Sequence, residues 1–255
     1  MPKCWASGLG DCSDKQSREH YISKGLFDND LIIVSGFDWL QGEAKTFNLS
    51  TLTANILCTR HNTSLSEVDS EAQRIFRMLG NCRELQSKRA GMGYRSHWSK
   101  EKFVANGIRF ERWAAKTTIN IFCIAAKDRL WQMSNTSPNN PPLEIVRAIY
   151  GNERLEAPLG IYDLQVVGTK TTFPDAIGLE TLSREGKLYG AILYFKEVRF
   201  LVWLSREPIE SGSIMNDGQT WGFDGVMPMR HPRGLDFTVG GSLSHKLRFQ
   251  WFRAS

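Results

Sequence analysis

Three cysteines and a histidine, Cys4, Cys12, Cys58 and His61, are set in a stretch with few apolar side chains before residue 64. A piece of that size rarely holds together on its own core. Cys58-Thr59-Arg60-His61 puts a thiol and an imidazole three residues apart, so both can turn toward one ion from a tight knuckle. Cys4 and Cys12 precede a short polar turn, about one hairpin earlier. Two such elements can close a tetrahedral Cys3His zinc site. The Cys4-to-Cys12 spacing is wider than in most such sites, and three unrelated buried thiols are the competing explanation. Five cysteines is an odd count, which suits metal ligation better than a disulfide framework. Cys82 and Cys123 have no partner pattern and read as buried free thiols.

The charge is uneven along the chain. Residues 81–135 carry 11 Lys and Arg against 4 Asp and Glu, a surplus of +7, whereas residues 1–80 sum to −2 and residues 136–255 to zero. A local positive field of that kind attracts polyanions such as nucleic acid; a solvated helix face is the alternative. With 41% hydrophobic and 23% charged residues, the composition excludes a disordered or collagen-like chain. Apolar runs such as Ile121 to Ala126 are too short to cross a bilayer. The opening Met-Pro-Lys-Cys-Trp lacks the apolar core of a secretory signal, so a cytoplasmic protein with no membrane association is expected.

The patterning predicts an α+β protein. Residues 1–30 read as loops and 31–58 as extended. Leu65, Val68, Ala72, Ile75, Phe76 and Leu79 recur at helical spacing, with Ser64 and Glu67 as a capping box and Gly80 as a stop. Phe110 to Lys127 reads as a buried helix despite the β-branched Thr117-Thr118-Ile119. Ser134 to Pro142 is a loop. Beyond it, Ala191 to Phe195 and Val198 to Leu204 are strand-like, and Leu235 to Trp251 reads as a hairpin about Gly240-Gly241. Two units are expected. Residues 1–80 form a zinc-stapled module, and residues 81–255 form a larger α+β domain. The latter divides into a basic helical part (81–133), the loop (134–142) and a β-rich part (143–255).

Some of the chemistry follows from residue types. Cutting a phosphodiester needs an activated water and stabilisation of charge on the phosphate and the leaving oxygen. A near-neutral imidazole suits the first task. A hard divalent cation held by oxygen donors suits the second. Glu19-His20 supplies an anionic ligand beside a candidate base, although neighbours on a strand point opposite ways and a local bend is needed to bring both to one phosphate. Asn62 follows the Cys-His knuckle, just before a helix.

The order of these pieces resembles the HNH nuclease family, with its ββα-metal fold. The matching segments are Arg18-Glu19-His20-Tyr21-Ile22-Ser23-Lys24-Gly25-Leu26-Phe27, Leu57-Cys58-Thr59-Arg60-His61-Asn62 and Leu65-Ser66-Glu67-Val68-Asp69, within residues 4–79. The resemblance implies a metal-dependent DNA endonuclease in which His20 is the general base. It implies that Glu19 and Asn62 hold a catalytic Mg2+ or Mn2+, with Asp69 a further candidate ligand from the helix. It also implies a polar residue that orients the base, either Asn48 or Asn55, and products with 5′-phosphate and 3′-hydroxyl ends. Glu19 stands where the family has Asp, His61 where it has Cys, and Ser23 where it has Pro. A non-catalytic zinc-stapled module that binds nucleic acid or a protein is the alternative. One such site cuts one strand, so a double-strand break calls for a homodimer or two nicks. The sequence does not choose between DNA and RNA. HNH modules of this kind are frequent in bacterial and phage defence.

Six cations are expected to contact the nucleic-acid backbone. Arg95, Lys100 and Lys102 lie in a run that mixes cations with aromatics, suited to phosphate contact and base stacking, or else an ordinary surface loop. Arg109, Arg112 and Lys116, three and four residues apart, are expected to form one basic helix face. His231 and His245 stand alone and read as structural, and Gly8-Leu9-Gly10 reads as a turn.

Overall fold

One helix, α3 (Gly107–Ala125), organises the chain, and almost every side chain on it is buried. Asn106 caps its start, its side chain accepting from the Arg109 N–H at 3.0 Å. Packing on all sides holds Thr117-Thr118-Ile119 helical against their weak propensity. Thr118 Oγ1 returns its proton to the Ala114 carbonyl at 2.9 Å, which satisfies a hydroxyl that has no water to turn to.

The computed structural model describes residues 4–90, 102–151, 155–164, 177–196, 198–209, 213–216, 219–222, 229–232, 234–238 and 244–251. The strands are β1 (Gln16–His20), β2 (Leu31–Val34), β3 (Lys45–Asn48), β4 (Thr53–Cys58), β5 (Lys102–Asn106), β6 (Leu130–Trp131), β7 (Gly160–Asp163), β8 (Ile177–Arg184), β9 (Lys187–Phe195), β10 (Val198–Trp203), β11 (Ser213–Asn216), β12 (Gln219–Gly222), β13 (Met229–Arg230), β14 (Gly234–Thr238) and β15 (Ser244–Gln250). The helices besides α3 are α1 (Thr59–Thr63), α2 (Ser66–Ala90) and α4 (Leu143–Tyr150). The fold is α+β.

The largest sheet runs β13-β7-β10-β9-β6, with β8 also paired to β9. Its two central strands are buried on both faces. On β10, Val198, Phe200 and Val202 point toward the larger core with α3, while Leu201 and Trp203 fill a smaller core behind the sheet. Phe110 and Trp113 of α3 meet Phe195 of β9 with ring centroids 5.3 and 5.1 Å apart. The larger core contains Cys4, Leu65, Phe110, Phe195 and Trp251. It therefore joins the residues on either side of position 80, which itself lies inside α2. The β14–β15 hairpin forms as the alternation predicts, and β15 then pairs in parallel with β5, the strand that leads into α3.

Three local expectations need correction. The residues before 30 are not all loop, because Gln16–His20 form β1 against β4. Its mixed polar sequence hides it, since only one face meets protein. Helix α2 starts at Ser66 and continues past Gly80 to Ala90. The Ser64–Glu67 box does not form. Ser64 closes α1 instead, its hydroxyl donating to the His61 carbonyl at 2.9 Å. Among the described residues, no helix is long and apolar enough to cross a membrane.

Candidate metal centre and adjoining cleft

Cys58 ends β4 and caps α1, so the strand-to-helix corner itself aims Cys58 and His61 inward. The loop before β1 brings Cys4 and Cys12 to the same point. Trp5, buried beside Cys4, pins that loop by donating its N–H to the Ile56 carbonyl of β4 at 3.0 Å. The three sulfurs and one ring nitrogen lie within 4.8 Å of one another. His61 Nδ1 is 3.4, 3.6 and 3.2 Å from the sulfurs of Cys4, Cys12 and Cys58. A tetrahedral ion with ordinary zinc–sulfur and zinc–nitrogen bonds sets those edges at about 3.6 Å. One lone pair on Nδ1 cannot accept three thiol hydrogen bonds, so a shared cation explains the geometry better. His61 Nε2 lies 2.8 Å from Asp11 Oδ1, which keeps the proton on Nε2 and turns Nδ1 to the ion. Burial pushes the Cys4 thiol up to about 12. Burial also acts against the Cys58 thiolate, but backbone N–H groups at His61 and Ser13 outweigh it and bring that thiol down to about 6. A divalent cation would hold all three as thiolates. The four residues can thus hold a metal ion such as zinc, as the spacing predicts.

Asn62, one residue beyond the last ligand, donates its amide N–H to Ser17 Oγ of β1 at 2.7 Å. Asn62 also lines a cleft of about 260 Å3 between β1 and α2. Glu19, His20, Lys24, Asn62 and Asp69 all line this cleft. The register slips just ahead of this pair, where two steps along β1, from Ser17 to Glu19, span three along β4, from Leu57 to Ala54; Glu19 and His20 themselves pair in step with Ala54 and Thr53, so the bend expected between them is not there. Both side chains nevertheless border the same cavity. His20 Nε2 is buried and has no hydrogen-bond partner among the described residues. Burial holds the His20 imidazole below its ordinary range; Glu19 opposes this, while Lys24, Lys116 and Arg18 add to it.

Behind the cleft lining lies α3, whose Lys116 the sequence placed on a basic face and whose Asn120 it did not single out. Trp113, Lys116 and Asn120 lie on one face of the helix. Lys116 is 1% exposed. Its ammonium lies 2.7 Å from Glu19 Oε1 and 2.8 Å from each oxygen of Asp69. Burial disfavours that charge, but the two carboxylates outweigh burial and hold the lysine above its ordinary value. Asn120 donates to Glu19 Oε1 and to the His20 carbonyl, each at 3.3 Å, and accepts from the Trp5 indole at 3.2 Å. On the other side, the Trp113 indole donates to Ser23 Oγ at 2.9 Å, and Ser23 donates to Asp69 at 2.5 Å. A continuous polar chain from Trp5 to Trp113 thus fixes Glu19 and Asp69.

Several predicted roles change. Lys116 and Arg112 do not lie on an exposed basic face; Arg112 is 7% exposed and donates to the Ile149 carbonyl. Both serve the interior because α3 has almost no solvent face. Arg109 is partly exposed and pairs with Glu67 at 2.5 Å. Lys102 is exposed on β5, while Arg95 and Lys100 fall outside the described residues. Asp69 lines the cleft, but Lys116 and Ser23 engage its carboxylate, so it is not a free metal ligand. Neither candidate orienting residue reaches His20. Asn48 accepts from Ser50 N–H and Oγ at 2.9 and 2.7 Å, and Asn55 is exposed at the bulge. His231 is structural, as expected, stacked on Trp251 and 2.8 Å from the buried Glu111. One signal was available in the sequence: a lysine on a helix read as buried has to be paired with acids.

Comparison with family models, with curated proteins and with solved structures returns no match for this chain.

Proposed function

We propose that the chain is a zinc-framed nuclease of the HNH type that hydrolyses phosphodiester bonds of DNA in this cleft. His20 carries the reading. Burial favours its neutral form, its Nε2 has no partner among the described residues, and it shares a cavity with an acid and an amide. A neutral imidazole in a cleft can take a proton from water. The resulting hydroxide attacks phosphorus in line and displaces the 3′ oxygen, leaving a 5′-phosphate. Lys24, on the cleft wall and paired with Asp30 at 3.1 Å, puts a cation beside the cleft that an anionic substrate could share.

Lys116 and Asn120 occupy one oxygen of Glu19, which leaves its second oxygen and the Asn62 carbonyl as donors. One carboxylate oxygen and one amide oxygen suit a hard cation that keeps several waters. When bound there, Mg2+ or Mn2+ supplies Lewis-acid stabilisation of charge on the phosphate and the leaving oxygen. Glu19 is fixed for that role by Lys116 and Asn120, and Asn62 by Ser17. A single cleft cuts one strand, and two copies of the chain would be needed for a concerted double-strand break.

The test is conversion of supercoiled plasmid by the zinc-loaded chain with Mg2+, Mn2+ or Ni2+. His20→Ala should slow nicking by about 10²–10⁴-fold while the protein still retards DNA in a gel. A wild type that leaves plasmid intact with all three ions removes the nuclease reading. A binding module without catalysis is the second reading, and the capture of Asp69 by Lys116 is the observation that favours it.

A further inference from the structure

We infer that Lys116 is a resident cation behind the cleft lining, paired with two of its acids, and that it makes divalent-cation binding in the cleft conditional on a phosphate. The inference rests on the nuclease reading for what the phosphate belongs to, and on geometry for the rest. An ammonium has three N–H donors. Here three carboxylate oxygens lie within 2.7–2.8 Å of it, Glu19 Oε1 and both oxygens of Asp69. With its donors spent and its side chain 1% exposed, Lys116 has nothing left to offer a substrate. It is a positioning residue, not a catalytic one.

Its position matters because the two acids face one cavity. Without the lysine they would form a doubly negative pair able to take a divalent ion between them. With it, the three groups sum to a single negative charge, and only Glu19 keeps an oxygen for an incoming ion. Asn62 adds a neutral donor. A hard cation bound by one carboxylate and one amide is held weakly until phosphate oxygens complete its shell. The free protein should therefore leave Mg2+ and Mn2+ in solution, and a phosphodiester in the cleft should recruit them. Coupling of this kind keeps the hydrolytic site unassembled until substrate arrives.

The test reads metal binding, not cleavage, so it does not depend on the nuclease reading. Mn2+ is titrated into the zinc-loaded chain without DNA and followed by the paramagnetic resonance of the free ion. The wild type should show no stoichiometric site at millimolar Mn2+. Lys116→Met should gain one site per chain, bound about ten-fold or more tighter than any wild-type binding, and Glu19→Gln in that background should abolish it. A thermal scan gives a second readout, because Mn2+ should raise the melting temperature of Lys116→Met and not that of the wild type. Stoichiometric Mn2+ on the DNA-free wild type, lost in Glu19→Gln, overturns the inference. So does a folded Lys116→Met that binds no Mn2+. If Lys116→Met does not fold, Mn2+ is titrated into His20→Ala with a DNA duplex: one site beyond those of the duplex alone, lost when Glu19→Gln is added, is expected, and no added site overturns the inference. Plasmid nicking by wild type and His20→Ala is scored separately, so failure of the nuclease reading is told apart from failure of this one.

Discussion

Removing the Lys116 ammonium should be among the most damaging single changes in the chain. Lys116→Met keeps most of the side-chain volume and leaves Glu19 and Asp69 facing each other, the first 4% exposed. Removing one partner of a buried ion pair costs about 3–5 kcal/mol, against about 0.5 kcal/mol or less for an exposed lysine. In a chain of this size, 3–5 kcal/mol lowers the melting temperature by roughly 10 °C. Asp69→Asn should cost about 1–3 kcal/mol, since Lys116 keeps Glu19 as a partner. The double variant should cost less than the two singles added together, because each has already broken the shared contact. Urea unfolding with an unchanged slope measures all three. A Lys116→Met within about 0.5 kcal/mol of wild type would refute the reasoning. It would return Lys116 to the exposed, phosphate-facing role that its spacing from Arg109 and Arg112 suggests.

Other changes have equally specific outcomes. Metal analysis should find one zinc per chain, lost in Cys12→Ser but kept in Cys123→Ser, whose thiol is buried away from the cluster. Acid should release the ion, because protons compete for the thiolates. The base form of His20 persists below pH 6.5, since burial depresses its protonation. The nicking rate should therefore rise with pH along a limb centred below pH 6.5, and a limb above pH 7 would exclude a buried His20 as the base. Gly107→Ala should destabilise the protein by about 1–3 kcal/mol, because a Cβ there would fall 2.6 Å from the Trp251 ring. Thermal unfolding checks this.

The zinc-type ligands were legible because metal ligation imposes spacing that survives in the sequence. Cys58 and His61 sit on one corner, and the loop before β1 supplies Cys4 and Cys12. The buried helix and the β14–β15 hairpin were legible from periodicity alone. The surroundings of the cleft were not, because they depend on which face of α3 meets which strand. Lys116 and Asn120 lie about a hundred residues from Glu19, and no local pattern encodes that contact. Arg109, Arg112 and Lys116 satisfy the spacing of a basic stripe, yet α3 is wrapped on all sides, so the same spacing produces interior ion pairs. The Ser64–Glu67 box failed for a different reason. The short helix α1 ends at Thr63 and takes Ser64 as its closing residue.

The most direct measurement follows the solvent oxygen. Plasmid nicked by the zinc-loaded wild type with Mn2+ in 18O-enriched water should carry the label on the 5′-phosphate, opposite an unlabelled 3′-hydroxyl. His20→Ala, equally folded and zinc-loaded, should yield almost no labelled ends. Label at the 3′ end, or equal labelling from both proteins, would contradict hydrolysis by a water that His20 activates.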